Sequence, residues 1–364
     1  VASSPEEQGM SSSKLQEMMD FIESNSLPIH GLVIVRHGYI VWEAYPTPGY
    51  DTNTPHRLYS VTKSFTSCLI GIALEKGYIE SLNQTMVSFF PNRNITNLND
   101  WKRRITVRDL LMMKSGMKWD ESSAPFTSPQ NDVYHILHGD GLQYCLNLPS
   151  QALPGTLWHY NTGSSHILSG IITDATGMTT LEFARQNLFE PIGIRNVTWS
   201  RDEAGTYIGG FDLQITPRDM AKFGYLYLNG GRWGEKQIIS SDWVMTSTSA
   251  LTTLNSDEGY GYQWWTVSSL NLFAARGLYN QMIYVIPNED LVVAVTAGMN
   301  SGDTDPLLSK YILPSITGEG AESNKNINPL EITWLHALSI LVALGLVTVT
   351  LFLYYKRVIV HEPS

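Results

Sequence analysis

The chain has little to cross-link it: two cysteines, Cys68 and Cys145, in 364 residues. That is too few for a disulfide framework, and Cys68 sits in the apolar run Cys-Leu-Ile-Gly-Ile-Ala-Leu, where a buried free thiol is expected. Positive charge is also scarce. Lys and Arg number 24 against 34 Asp and Glu, for a net charge of −10, and no long Lys/Arg run occurs before the C-terminus. A phosphate-tracking surface needs clustered cations, so no nucleic-acid partner is expected. The GxSxG elbow, the P-loop and the dinucleotide fingerprint are all missing. His135, His138 and Asp140 lie near one another but lack metal-ligand spacing, so no metal and no other cofactor is expected. No internal repeat is present.

What is there reads as an ordinary globular chain, 43% hydrophobic and 16% charged, long enough to bury a sizeable core. Residues 12–24 carry Leu15, Met18, Met19 and Ile22 at helical spacing. Two β runs, 31–35 and 39–44, meet through His37-Gly38 as a hairpin. A long helix is predicted over 64–76, ended by Gly77, with further helices over 106–113 and 181–188. Strand-like runs return at 261–265, 282–286 and 291–296. β segments near both ends with helices between them predict an α/β (α+β) domain over 1–317. Its mainly antiparallel sheet would draw on roughly 1–58 and 206–316, with a helical insertion over 60–205.

One long hydrophobic run stands apart. Residues 335–353 carry no Asp, Glu, Lys or Arg, and roughly 20 helical residues at about 1.5 Å each cross a hydrocarbon core of about 30 Å. Trp334, Tyr354 and Tyr355 flank the run, and Lys356 and Arg357 follow it. The sequence thus predicts a linker over 318–331, a membrane helix over 332–355 and a cytoplasmic tail over 356–364. The main body would then be held outside the cell.

Ser60-Val61-Thr62-Lys63 fits the pattern S-x-x-K. Residues three apart share a helix face, so the lysine amine can reach the serine hydroxyl. A helix N-terminus disfavours an ammonium and favours an oxyanion, and burial lowers a lysine pKa towards that of a base at neutral pH. The pattern also occurs at Ser11–Lys14 and Ser115–Lys118. Only Ser60 precedes a long apolar helix, one that includes Phe65, Cys68, Leu69, Ile70, Ile72 and Leu74. A capping serine followed by a solvated lysine is the alternative at this position.

The segment Leu58-Tyr59-Ser60-Val61-Thr62-Lys63-Ser64-Phe65-Thr66 resembles the active-site segment of the serine β-lactamase-like family, which includes class C β-lactamases, DD-peptidases and related esterases and amidases. Further segments resemble it in the same order: Ile105–Leu111 with Ser115-Gly116, Pro154-Gly155-Thr156 before Tyr160, and Gly209-Gly210 ahead of Asp219-Met220-Ala221. The likeness spans most of 6–316. It implies the β-lactamase/transpeptidase-like fold, Ser60 as nucleophile, Lys63 as its activator and Tyr160 as proton-exchanging partner.

Two elements depart from the family pattern. Tyr160-Asn161-Thr162 puts Thr162 where Y-x-N has Asn, leaving a hydroxyl to bond Lys63 or substrate. Ala275-Arg276-Gly277 stands in place of K/H-T/S-G, without its Lys or His. Gly277 suits a close backbone approach to substrate, and the N–H of Leu278 would join that of Ser60 as an oxyanion hole. Arg276 reads either as a charge offered to a substrate carboxylate or as a solvated arginine. The expected partner is a small-molecule or peptide substrate bearing an ester or amide bond. β-Lactam or DD-peptide cleavage is the alternative within the enzyme class, and a non-catalytic binding protein is the alternative outside it. Tyr260, Tyr262, Trp264 and Trp265 read either as a packed strand or as the rim of the cleft.

Overall fold

The computed structural model describes residues 1–318. Its main element is an eight-stranded antiparallel sheet. The strands are β1 (Ile29–Arg36), β2 (Tyr39–Ala44), β3 (Thr252–Thr253), β4 (Glu258–Tyr260), β5 (Trp265–Val267), β6 (Leu272–Gly277), β7 (Gln281–Ile286) and β8 (Leu291–Ala297). Their spatial order is β2-β1-β8-β7-β6-β5-β4-β3, so the last strand in sequence pairs with the first. His37 and Gly38 both take positive φ (52° and 80°), which lets β1 reverse tightly into β2.

Side chains alternate across a strand, and this sheet has a core on each face. Val33, Val35, Ala275, Ile283, Val285 and Val292 face one core. Leu32, Ile34, Ala274, Met282, Tyr284 and Val293 face the other. Helix α1 (Ser12–Ser24) covers the second face through Leu15, Met18 and Ile22. The first face receives α2 (Thr62–Glu75), α3 (Thr162–Thr176) and α4 (Pro217–Leu228), together with the shorter helices between them. Phe65 of α2 stacks on Phe223 of α4 with ring centroids 3.7 Å apart, both fully buried. Each such side chain stabilises the fold by roughly 1.5–3 kcal/mol. The helix that follows Ser60 is thereby locked to the layer behind it.

Two expectations are corrected. Of the strand predicted over 261–265, only Trp265 is in a strand, as the first residue of β5; residues 261–264 are the irregular link between β4 and β5. Tyr262 and Trp264 of that link are still buried, in the core on one face of the sheet. The second correction concerns the membrane. Among the described residues no helix is long and apolar enough to cross one. The predicted linker, span and tail lie outside the described residues, apart from Gly318. The described residues form the α/β domain with no membrane helix among them, and neither membrane anchoring nor placement at the cell surface is retained.

Candidate active site

Ser60 sits in a short 3-10 turn, Tyr59–Val61, that runs directly into α2. The approach to it is fixed from two sides. His56–Arg57 pairs with Leu213–Ile215, and the Leu58 N–H donates to the Leu213 carbonyl at 2.8 Å. Tyr59 takes the left-handed conformation (φ 48°), an unfavourable one for a bulky residue. Its ring is held edge-on against Tyr279 and beneath the Arg57 guanidinium. Val61, not Ser60, caps α2, and no side-chain capping bond is made there. The Ser60 hydroxyl is thus left for Lys63.

Lys63 is 2% exposed. Its Nζ donates to Ser60 Oγ at 2.9 Å and to the Gly210 carbonyl at 2.9 Å. Burial lowers its pKa to about 8, with the Glu121 carboxylate pulling the other way. The Gly210 carbonyl reaches this position because neither glycine of its pair has a side chain. A Cβ on Gly209 would lie 2.1 Å from the Ser165 carbonyl oxygen, and one on Gly210 would lie 2.6 Å from Thr162 Cγ2. Gly209 in turn accepts from Thr66 Oγ1 of α2 at 2.7 Å. The sequence marked this pair as part of the family likeness but not as the acceptor for Lys63.

Tyr160 stands just before α3, whose N-cap Asn161 accepts from the Ser164 N–H. Its ring centroid is 4.8 Å from Lys63 Nζ. Trp265 stacks on it at 6.0 Å, and Trp158 tilts against it at 6.4 Å. Trp265 thus reaches the site, whereas Tyr260, Tyr262 and Trp264 are buried packing. Burial, reinforced by Glu121, pushes the Tyr160 phenol well above its usual pKa, with the Ser60 hydroxyl opposing. The phenol is therefore protonated at neutral pH. Thr162 is buried beside them, but Lys63 is not its partner; its backbone N–H donates to Glu121 Oε2 at 3.0 Å.

β6 brings the remaining residues. A Cβ on Gly277 would lie 2.4 Å from the Leu58 carbonyl oxygen, so the close approach expected at Gly277 is made to the turn that carries the serine. Leu278 follows, 43% exposed, and lines with Ser60, Glu121 and Thr162 a cleft of about 290 Å³. Arg276 does not line it. Its Nη1 donates to Glu258 Oε1 of β4 at 2.6 Å, and its guanidinium lies over Trp265. The charge expected at a substrate carboxylate is thus paired with Glu258 through Nη1, while Nε is buried without a partner among the described residues.

The two competing S-x-x-K matches separate physically. Ser11 caps α1, and Lys14 pairs with Glu17. Ser115 is buried while Lys118 is exposed. His135 and His138 stack on Tyr144 and Tyr134, and Cys68 and Cys145 are buried free thiols. Glu121 is the site residue that sequence reasoning missed. It lies in an irregular loop, and no motif marks it.

The 6-aminohexanoate-dimer hydrolase of Paenarthrobacter ureafaciens is 23% identical over 302 residues, covering 74% of this chain and 73% of its own. The monacolin J acid methylbutanoyltransferase of Aspergillus terreus is 26% identical over 176 residues, 43% of this chain and 41% of its own. Among solved structures, EstCE1, a hydrolase with promiscuous acyltransferase activity, superposes with a TM-score of 0.69 at 13% identity, over 84% of this chain and 98% of its own. The octameric penicillin-binding protein homologue of Pyrococcus abyssi does so with a TM-score of 0.65 at 18% identity, over 85% and 77%. These two likenesses are of fold. The Beta-lactamase family description matches residues 14–313, and the chain belongs to that family, as a serine hydrolase of the kind that acts on amide and ester bonds.

Proposed function

We propose that the chain cleaves an ester or amide bond, short peptides included, through an acyl-enzyme on Ser60. The observation that carries this reading is the buried Lys63 amine bonded to the Ser60 hydroxyl. With its pKa lowered to about 8, a usable fraction of that amine is neutral near physiological pH. Lys63 takes the Ser60 proton as Oγ attacks the substrate carbonyl. The N–H groups of Ser60 and Leu278 receive the oxyanion. Tyr160, held as a neutral phenol, gives its proton to the leaving group and is reprotonated from Lys63. Water then attacks the acyl-enzyme and the same groups run in reverse, returning Ser60.

Cleavage of β-lactams or DD-peptides is the weaker reading, because Arg276, the cation that stands in place of the usual Lys or His, is bound to Glu258. A binding protein without turnover has no need for an amine buried against a serine hydroxyl. The test is release of p-nitrophenol from p-nitrophenyl acetate by the wild-type chain and by Ser60→Ala. The proposal requires turnover that the variant lacks. Equal rates from both would sink it.

A further inference from the structure

The cleft beside Ser60 is acidic at one point and apolar around it. Glu121 is fixed there through one oxygen only: Oε2 accepts from the Trp119 indole N–H and from the Thr162 N–H. Its other oxygen, Oε1, accepts no hydrogen bond among the described residues. Glu121 also forms no ion pair among them, although two cations are close. Arg57 lines the same cleft but is paired with Asp212, and Lys63 is bonded to Ser60 and Gly210. Phe126, Val133, Leu137 and Phe211 supply apolar walls. A carboxylate held rigidly by two donors, with one face open to a cleft, is ready for a charge-assisted bond to a ligand cation.

We infer that Glu121 is a specificity-determining residue that binds an ammonium group of the substrate, so the preferred substrates are amino-bearing amides or esters with an aliphatic stretch between amine and scissile carbonyl. This deepens the proposed Ser60 hydrolysis and rests on it. The apolar walls would take the methylene chain while Glu121 fixes its charged end. A substrate carboxylate in the same position would meet Glu121 as a like charge. The selectivity is thus the reverse of that for carboxylate-bearing substrates.

The test uses p-nitrophenyl esters of equal length, two to six carbons long, ending in ammonium, methyl or carboxylate. Wild type should favour the ammonium ester over the methyl ester in kcat/KM by about tenfold or more at the best length and should disfavour the carboxylate. Glu121→Gln keeps an acceptor for Trp119 and Thr162 but loses the charge, so its ammonium-to-methyl ratio should fall to about one on the same scale. A wild type without the preference, or a Gln variant that keeps it, overturns the inference. An equal loss on all three esters also overturns it, since that marks a structural or proton-transfer role. A binding assay separates this from failure of the hydrolytic reading. Calorimetry of 6-aminohexanamide against hexanamide on Ser60→Ala protein should show tighter binding of the amine, lost in Ser60→Ala/Glu121→Gln, whether or not the wild type turns over any ester. Equal binding of the two amides overturns the inference on its own.

Discussion

Lys63 Nζ lies 2.9 Å from Ser60 Oγ, at the end of a side chain that is only 2% exposed. Burial makes the amine a weaker base than a surface lysine but a far more available one. Lys63→Met should therefore lower kcat/KM for a p-nitrophenyl ester by at least about a hundredfold, the scale of a lost general base. In wild type, kcat/KM should rise with pH through an acid limb near 8. A limb near 10.5, or none, would remove Lys63 from that role.

The same shift bears on stability. The folded pKa, about 8, lies below the ordinary lysine value of 10.5, so between those pH values the unfolded chain binds more protons than the folded one. Wild-type stability therefore gains from this group as pH rises from about 8 to 10.5, and the burden is full below 8. At pH 7, Lys63→Met should be the more stable protein by up to about 3 kcal/mol, and the difference should shrink at high pH. Urea denaturation of both proteins at pH 7 and pH 10 checks the sign. A variant less stable at pH 7 contradicts it.

Tyr160 is held as a neutral phenol by its burial, so its contribution should scale with how badly the leaving group needs a proton. Tyr160→Phe should reduce hydrolysis of an alkyl amide by about 10²–10⁴-fold, and hydrolysis of a p-nitrophenyl ester much less. Equal losses on both substrates would count against leaving-group protonation.

Gly277 sits where any Cβ would meet the Leu58 carbonyl oxygen at 2.4 Å, and that oxygen belongs to backbone that cannot swing aside. Gly277→Ala should cost about 1–3 kcal/mol in urea unfolding, in the range of overpacking. It should also lower kcat more than it raises KM, because the displaced strand carries Leu278. Unchanged stability and kinetics would refute the packing argument.

Glu121 raises the pKa of Lys63 through space. Glu121→Gln should thus move the acid limb of the pH–rate profile for a neutral ester to lower pH. A limb that stays put or moves up would mean the carboxylate does not act on the amine.

Much of this site could be read from the chain because its residues are local in sequence or sit on regular elements. Ser60 and Lys63 are three apart at the head of an apolar helix, and that spacing alone brings them together. The β1–β2 hairpin was legible from His37-Gly38, and β8 from an apolar run buried on both faces. Long-range contacts were not legible. That Gly210 would bond Lys63 depends on a separation of 147 residues. Glu121 reaches the cleft from a loop with no periodicity, through bonds to Trp119 and Thr162. Arg276 looked free because the sequence does not show that Glu258 lies across the sheet from it. The residues between β4 and β5, with Tyr262 and Trp264, misled in the opposite way, since buried links and strands share the same residue types. The apolar run at 335–353 gave a membrane span by length and composition, yet the described residues hold no helix fit to cross a membrane.

The central claim is that Ser60 carries the acyl group. A fluorophosphonate probe followed by tryptic peptide mass spectrometry tests it most directly. The account predicts one adduct, on the peptide containing Ser60, formed faster as pH rises through about 8 and absent in Ser60→Ala. An adduct on Ser11, Ser115 or any other residue, with the Ser60 peptide unmodified, would contradict it.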